Sequence, residues 1–313
     1  SRNCYVTVAV YKWCKLSFGE VLHMNEIEKN KYHETKAHSS DEFLFNTYPC
    51  SIPIDFPSVS LHWHNDMELI VIKHGSAKVT LNLTTHQLSA GDILVVLPEN
   101  LHSIDCAIGD KLEYENIIFK KELLSFATND ITMSKYLTPF FNGDFPIVTH
   151  VHMGYSFYSH FVKIINTMDV LCDKKEIGYQ LAIKSCLLEL IHIMIRHPPK
   201  TEVNKKSEKS VDKIKEILTY MEQHYNEEIP IEKIADICHY SPSHFMKFFK
   251  NHMGTSFIKY LNDFRLIKAR TRLLTTEDTV LEIAGDCGFN NLSHFNRLYK
   301  NKYGITPSMT REM

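Results

Sequence analysis

The sequence predicts a multidomain α+β protein: an N-terminal antiparallel β-barrel carrying a helical hairpin, then an all-α C-terminal domain built from two helix-turn-helix units. Three observations carry this expectation. Short runs rich in Val, Ile, Leu and Thr, punctuated by turn residues, fill residues 41–120, the pattern of antiparallel strands. Near Gly154 the apolar spacing changes to a helical period. From Ser210 onwards every segment reads as helical, and one of them is written twice.

Length and composition bound the rest. The 313 residues are enough for two cores. With 44% hydrophobic and 23% charged residues the chain is too apolar for disorder. No run of about 18 uncharged apolar residues occurs, so a membrane is not an expected partner. The eight Cys contain no C-x-x-C and no regular spacing. They are expected as buried free thiols in a reducing cytoplasm. Residues 1–40 read as an N-terminal extension; Met24 is a plausible start, so residues 1–23 are given no role.

Within the barrel, residues 41–153, the expected strands include Glu68–Ile72, Ala77–Leu83 and Ile93–Leu97, separated by His74-Gly75, Asn82, Ala90-Gly91-Asp92 and Pro98-Glu99-Asn100. The hairpin occupies residues 154–199. Phe157, Phe161, Ile164, Ile165 and Met168 line one face of its first helix. Its second helix, Ile177–Arg196, is apolar nearly all round. One partner helix covers one side only, so this helix is expected to dimerise two copies of the chain, with coverage by its own barrel as the alternative. His197-Pro198-Pro199 ends it, and residues 200–210 form a polar linker. Residues 211–313 hold helices over Val211–Tyr225, Ile231–His239, Ser243–Met253, Ser256–Leu274, Val280–Cys287 and Leu292–Tyr303.

The repeat is the most informative feature. Ser243 to Ser256 aligns with Ser293 to Thr306 at a separation of 50 positions, and Ile234-Ala235-x-x-Cys238 parallels Ile283-Ala284-x-x-Cys287 at 49. Each copy reads as a short helix, a tight turn and a second helix. Ala235 and Ala284 are small where two helices cross, and Phe245/Phe249 and Phe295/Tyr299 bury one face of each second helix. Ser241 is the expected cap of the first copy, with Pro242 behind it, and Asn290 or Asn291 of the second. Left outward are Ser243, His244, Met246, Lys247 and Lys250 in one copy and Leu292, Ser293, Asn296, Arg297 and Lys300 in the other. Such groups suit base edges and phosphates. The helix between the copies carries Arg265, Lys268, Arg270 and Arg272. Residues 205–313 contain 17 Lys/Arg against 14 Asp/Glu, whereas residues 1–204 contain 18 against 23, so the duplicated half is the one suited to a polyanion.

A second constellation lies in the barrel. His62 and His64 share a strand face, Glu68 shares their parity, and a later strand can bring His102 beside them. Three imidazoles and a carboxylate could hold Zn, Fe, Mn or Ni. Trp63, of opposite parity, suits the barrel surface or a domain contact. His150 and His152 share a parity but have no nearby carboxylate in sequence, and are expected as surface histidines.

The run Ile283-Ala284-x-x-x-Gly288-Phe289-x-x-x-Ser293-x-Phe295-x-Arg297-x-Tyr299-Lys300-x-x-x-Gly304-x-Thr306-Pro307 resembles the signature of the AraC/XylS family of bacterial transcriptional regulators. The first copy resembles that family's other helix-turn-helix, with His239 where the family often has Gly and Gly285 inside a presumed helix. The resemblance implies promoter DNA as partner, with base contacts from Ser243, Met246 and Lys247, then from Leu292, Ser293, Asn296 and Arg297. His62-x-His64-x-x-x-Glu68-x-x-x-x-x-x-Gly75 with His102 is similar to the cupin barrel motifs, although Phe56 stands where that pattern has Gly. Such barrels include metal-dependent enzymes and the effector-binding domains of AraC-type regulators. The expectation is therefore an effector-responsive regulator with no catalytic residues and no cofactor. A small molecule binds at His62, His64, Glu68 and His102, the chain forms a homodimer, RNA polymerase is a further candidate partner, and activation is the working direction. Three alternatives stay open: a metal at the same four residues, a metal-dependent enzyme fused to a DNA-binding module, and a ligand-independent regulator.

Overall fold

The computed structural model describes residues 43–55, 58–107, 109–126, 130–199 and 206–312, with side chains of the last segment from Lys209. The expectations for residues 1–40, for Cys4 and Cys14 and for the first part of the linker fall outside these. The chain divides into two compact units that meet between Val211 and Asp212, and each is described by itself.

The first unit is built on two antiparallel sheets. Strands β1 (Phe45–Ile52), β2 (Val59–His62), β3 (Met67–His74), β4 (Ser76–Leu81), β5 (Thr84–Ser89), β6 (Ile93–Val96), β7 (His102–Asp105), β8 (Leu112–Phe119) and β9 (His150–Val151) pair in the orders β1-β8-β3-β6-β9 and β2-β7-β4-β5. Ile70, Ile72, Val79, Leu81, Leu88, Leu94, Ile104 and Leu112 fill the space between the sheets. The sequence reading runs Ala77 to Leu83 as one strand. In fact Asn82 and Leu83 take left-handed backbone, φ 46° and 66°, and turn the chain into β5. The polar run Thr84–Ser89 hides β5 from a pattern search, since only Leu88 of it is buried.

The outer face of the five-stranded sheet is covered by helices. A 3-10 turn at Lys121–Leu124 and a π-helical stretch at Met133–Leu137 precede α1 (Thr138–Phe141), α2 (Tyr158–Lys174) and α3 (Tyr179–Arg196). Phe161, Ile164, Ile165 and Met168 of α2 are buried as their spacing predicts. Ile183, Leu187, Leu190, Ile191, Ile193 and Met194 of α3 pack in the same core as Met67, Leu69, Val71, Val95 and Phe119. The sides of α3 that one partner helix leaves open are thus covered within its own unit. Its apolar sides are covered by the sheet and α2 of its own chain, and its exposed positions are Gln180, Leu181, Ser185, Glu189, His192 and Arg196.

The second unit continues with α4 (Lys206–His224), α5 (Ile231–Ile237), α6 (Pro242–Met253), α7 (Phe257–Thr275), α8 (Val280–Asp286), α9 (Leu292–Tyr303) and α10 (Pro307–Arg311). Helix α4 starts five residues earlier than expected, so Lys206–Ser210 is helix, not linker. The caps of the repeat are in place. The Ser241 side chain accepts from the His244 amide and Asn291 from the His294 amide, and both second helices end at a left-handed glycine, Gly254 and Gly304. All six described cysteines are free; Cys238 and Cys287 are buried and four are half-buried, fewer buried than expected. Among the described residues no helix is long and apolar enough to cross a membrane.

Placing α3 in the core of its own unit gives a concrete expectation. Ile191→Ala should cost about 2–5 kcal/mol of unfolding free energy, read by urea denaturation. Leu187→Glu should give unfolded or aggregated protein. A folded, well-behaved monomer from Leu187→Glu would restore α3 as an interface between copies.

Candidate functional site

The barrel constellation assembles as the alternation of β3 requires. Met67, Leu69 and Val71 point to the helices, so Glu68, Ile70 and Ile72 point between the sheets. Register sets Glu68 beside Ile118 on β8 and Val96 on β6. His62 closes β2 directly opposite His102, which opens β7. His64 follows β2 on the connection to β3. The structure brings all four together: His64 Nε2 stands 3.1 Å and His102 Nε2 3.0 Å from the same Glu68 Oε2. The His62 ring centroid lies 4.1 Å from that of His102 and 5.8 Å from that of His64. His64, Glu68 and His102 are buried, at 2, 3 and 1% exposure, and His62 is half-buried.

The electrostatics follow from that burial. Desolvation alone would push the Glu68 carboxyl up, but the imidazoles of His102 and His64 more than offset it and hold it well below the usual carboxylate range. Its charge is felt along the barrel interior. Burial first, and then Glu68, push the Cys50 thiol up to about 12; burial, Cys50 and Glu68 together raise the Tyr114 phenol. Cys50 and Tyr114 face each other across β1 and β8. The Tyr114 hydroxyl and the Asn116 carbonyl oxygen are buried without a hydrogen bond. Sequence reading missed this extension of the polar interior. Its signal was the parity of Tyr114 and Asn116 with Leu112, legible only once β8 is located.

Two lesser expectations change. Trp63 is buried, not a surface anchor. His150 does have a carboxylate: its Nε2 is 3.1 Å from Asp92 Oδ2, brought in from just before β6 although 58 residues away. The pairing of β6 with β9 creates that contact, and nothing in the local sequence reports it.

In the second unit, all ten outward residues of the repeat are exposed: Ser243, His244, Met246, Lys247 and Lys250 on α6, and Leu292, Ser293, Asn296, Arg297 and Lys300 on α9. None of Lys247, Lys250, Arg297 or Lys300 is paired with an acid among the described residues. The cations of α7 are used differently. Arg265 is buried and donates from Nε to Tyr225 O and from Nη2 to Glu227 O, both at 2.6 Å. Lys268 is buried against Phe264 and Tyr225, Arg270 lies over the Tyr303 ring, and Arg272 pairs with Asp278 and Asp286. Among the described residues, the four cations of the second helices thus stand exposed and without an acid, whereas Arg265, Lys268, Arg270 and Arg272 of α7 are buried, stacked or paired. Behind α9, Gly288 sits at φ +81°, and a Cβ there would stand 2.6 Å from Tyr225 O and 2.9 Å from the Arg265 guanidinium. Its counterpart in the first copy is His239, also left-handed at φ 57° but exposed.

Comparison with known proteins matches both units. Residues 55–191 match the family model described as an AraC-like ligand binding domain, and residues 234–313 the model described as a helix-turn-helix domain. The HTH-type transcriptional activator RhaS of Enterobacter sp. (strain 638) is 24% identical over 281 residues, spanning 89% of this chain and 97% of that protein. Among solved structures, a transcriptional regulator with an AraC-type DNA-binding domain from Chromobacterium violaceum is 31% identical, covering 35% of this chain and 95% of that one with a TM-score of 0.32. ToxT from Vibrio cholerae is 13% identical, covering 86% of this chain and 98% of that one with a TM-score of 0.39.

The contact between Gly288 and Arg265 makes a stability prediction. Gly288→Ala forces a left-handed alanine, about 1–2 kcal/mol, and drives its Cβ into the buried guanidinium and its carbonyl partner. A total loss above about 2 kcal/mol is expected in the unfolding of the helical unit, followed by circular dichroism in urea. A loss indistinguishable from zero would show that the turn has room to move.

Proposed function

The chain belongs to the AraC/XylS family of transcriptional regulators, effector-responsive proteins that bind DNA, and from that premise we propose which residues perform each task. The exposed faces of α6 and α9 enter successive major-groove segments. Arg297 and Asn296 read base edges, helped by Ser293 and Leu292; Ser243, His244, Met246 and Lys247 read more weakly from the first copy, because Ser243 and Met246 offer short or apolar reach. Lys250 and Lys300 hold phosphates. The observation that carries this reading is the duplicated outward face itself. Arg265, Lys268 and Arg272 of the linking helix are buried or paired, while Lys247, Lys250, Arg297 and Lys300 stand exposed and without an acid at equivalent positions of two copies.

His62, His64, Glu68 and His102 form the receptor site of the barrel. A ligand there acts by binding the DNA-competent and DNA-incompetent states with different affinity. The protein is a regulator and not an enzyme, and it works in the cytoplasm, where promoter DNA lies. Activation, the action named for the RhaS relatives, is the direction we infer, with RNA polymerase as the protein partner. A homodimer belongs to this reading, formed through a surface other than the buried sides of α3.

The full chain should select a preferred duplex from a random library. On that duplex Arg297→Ala should cost about 1–3 kcal/mol and relax preference at one base position. Lys300→Ala should weaken all sequences alike and reduce the salt slope by about one. Unchanged sequence preference in Arg297→Ala would remove α9 from the role of recognition helix.

A further inference from the structure

Two histidines meet where the edge strands of the two sheets come together. β5 ends the four-stranded sheet and β9 the five-stranded one. His86 on β5 lies opposite Val79, and His150 on β9 opposite Leu94. Val79 and Leu94 are buried between the sheets, and directly opposed residues share a face, so both imidazoles point inward from facing edges. Their ring centroids are 6.0 Å apart with the planes at 77°. The two rings are provided for unequally. His150 Nε2 has Asp92 Oδ2 at 3.1 Å, and that same oxygen accepts the Ser89 amide in the turn out of β5. No acid pairs with His86 among the described residues. Burial first, and then the charge of His150, hold the His86 imidazole below its ordinary value. The remaining neighbours bring no counter-charge. Lys78 on β4 lies opposite Gln87 and so on the outer face. β3 turns Ile70 and Ile72 inward, and His74 at its end is exposed. Beyond β9 stand His152, its ring 5.3 Å from that of His150, and Tyr155, 4.7 Å from His152.

We propose that His86 and His150 form a proton-operated latch across the open edge of the two sheets, closed while His86 is neutral and sprung when both rings carry charge. A proton on His150 is met by Asp92. A second, on His86, is met only by the imidazolium across the gap, in a half-buried place where water screens poorly. Moving the edges apart relieves the repulsion. Little resists it, because β5 bonds to one neighbour only and β9 is two residues long. The unfolded chain takes up the His86 proton near the ordinary imidazole value of 6.5, the closed edge only at lower pH. The closed form is therefore fully favoured above about pH 6.5 and loses ground as the pH falls below it. The turn at Ser89–Asp92 moves with β5, and Tyr158 at the start of α2 donates to Gly91 O at 2.9 Å, so opening reaches the helical hairpin. The proton is thereby a second input to this unit, read on strands that carry none of His62, His64, Glu68 and His102.

The test uses the full-length protein without DNA or effector, so it stands apart from the receptor and recognition assignments. Amide hydrogen exchange is followed by mass spectrometry from about pH 7.5 to about pH 5.0, corrected for the intrinsic pH dependence of exchange. Peptides over residues 84–92 and 149–152 should exchange about tenfold faster or more at the acid end, the change beginning below about pH 6.5. His86→Gln, which takes up no proton, should hold that change to about twofold or less. His150→Gln removes the facing charge and should also reduce it, and the double variant should do no more than His86→Gln alone. Where Gln loosens the edge at neutral pH, His86→Phe keeps a ring in place that never charges, and it should be equally insensitive to acid. Equal protection of the wild-type edge at both ends of the pH range overturns the proposal. So does an acid response that His86→Gln and His86→Phe both retain in full, since the proton is then taken up elsewhere.

Discussion

Arg265 keeps a full charge inside the protein, and the arrangement of the DNA-binding unit turns on how that charge is satisfied. Its two donors close on the carbonyls of Tyr225 and Glu227, which lead into the first helix-turn-helix, while its guanidinium lies under Gly288 and Phe289, the turn of the second. Hydrogen bonds to a charged group contribute about 1.5–3 kcal/mol, and a buried charge that loses them costs more. One side chain on the linking helix α7 therefore touches both repeated units and limits how far either can rotate about it. The small residues Ala235 and Ala284, both buried, do the same within each unit by letting two helices cross closely.

The barrel answers the same problem in another way. Glu68 stands buried beside two apolar cores, and the imidazoles of His64 and His102 close on one of its oxygens and hold its charge. Its neighbours along the barrel, Cys50, Tyr114 and Asn116, are polar groups placed among Ile70, Ile72, Leu94 and Leu112. A buried polar wall of that kind has a cost in folding and is retained where it orients something.

Much of this was legible in the sequence, for identifiable reasons. The repeat fixed both helix-turn-helix units, their caps and their outward residues, because α6 and α9 are amphipathic and end at Ser241, Asn291, Gly254 and Gly304. The His62, His64, Glu68 and His102 cluster was legible from period-two parity plus one long-range pairing. What escaped was whatever depended on three-dimensional neighbours. The burial of Arg265 and Lys268 depends on the turn at Tyr225 folding against α7, which no local pattern reports. How much of α3 its own sheet covers was not legible, because apolar spacing counts the sides to be buried without naming what buries them. Strand β5 escaped because its residues are mostly polar and exposed, and Asp92 beside His150 because 58 residues separate them.

If Arg265 and α7 fix the two units as one rigid reader, their spacing on DNA is fixed too. Hydroxyl-radical footprinting of the full chain on its selected duplex measures that spacing directly. Two short protected segments per protomer are predicted on one face of the helix, about 34 Å or one turn apart. A single protected segment per protomer would contradict the account, leaving the first copy as a structural support and not a second reader.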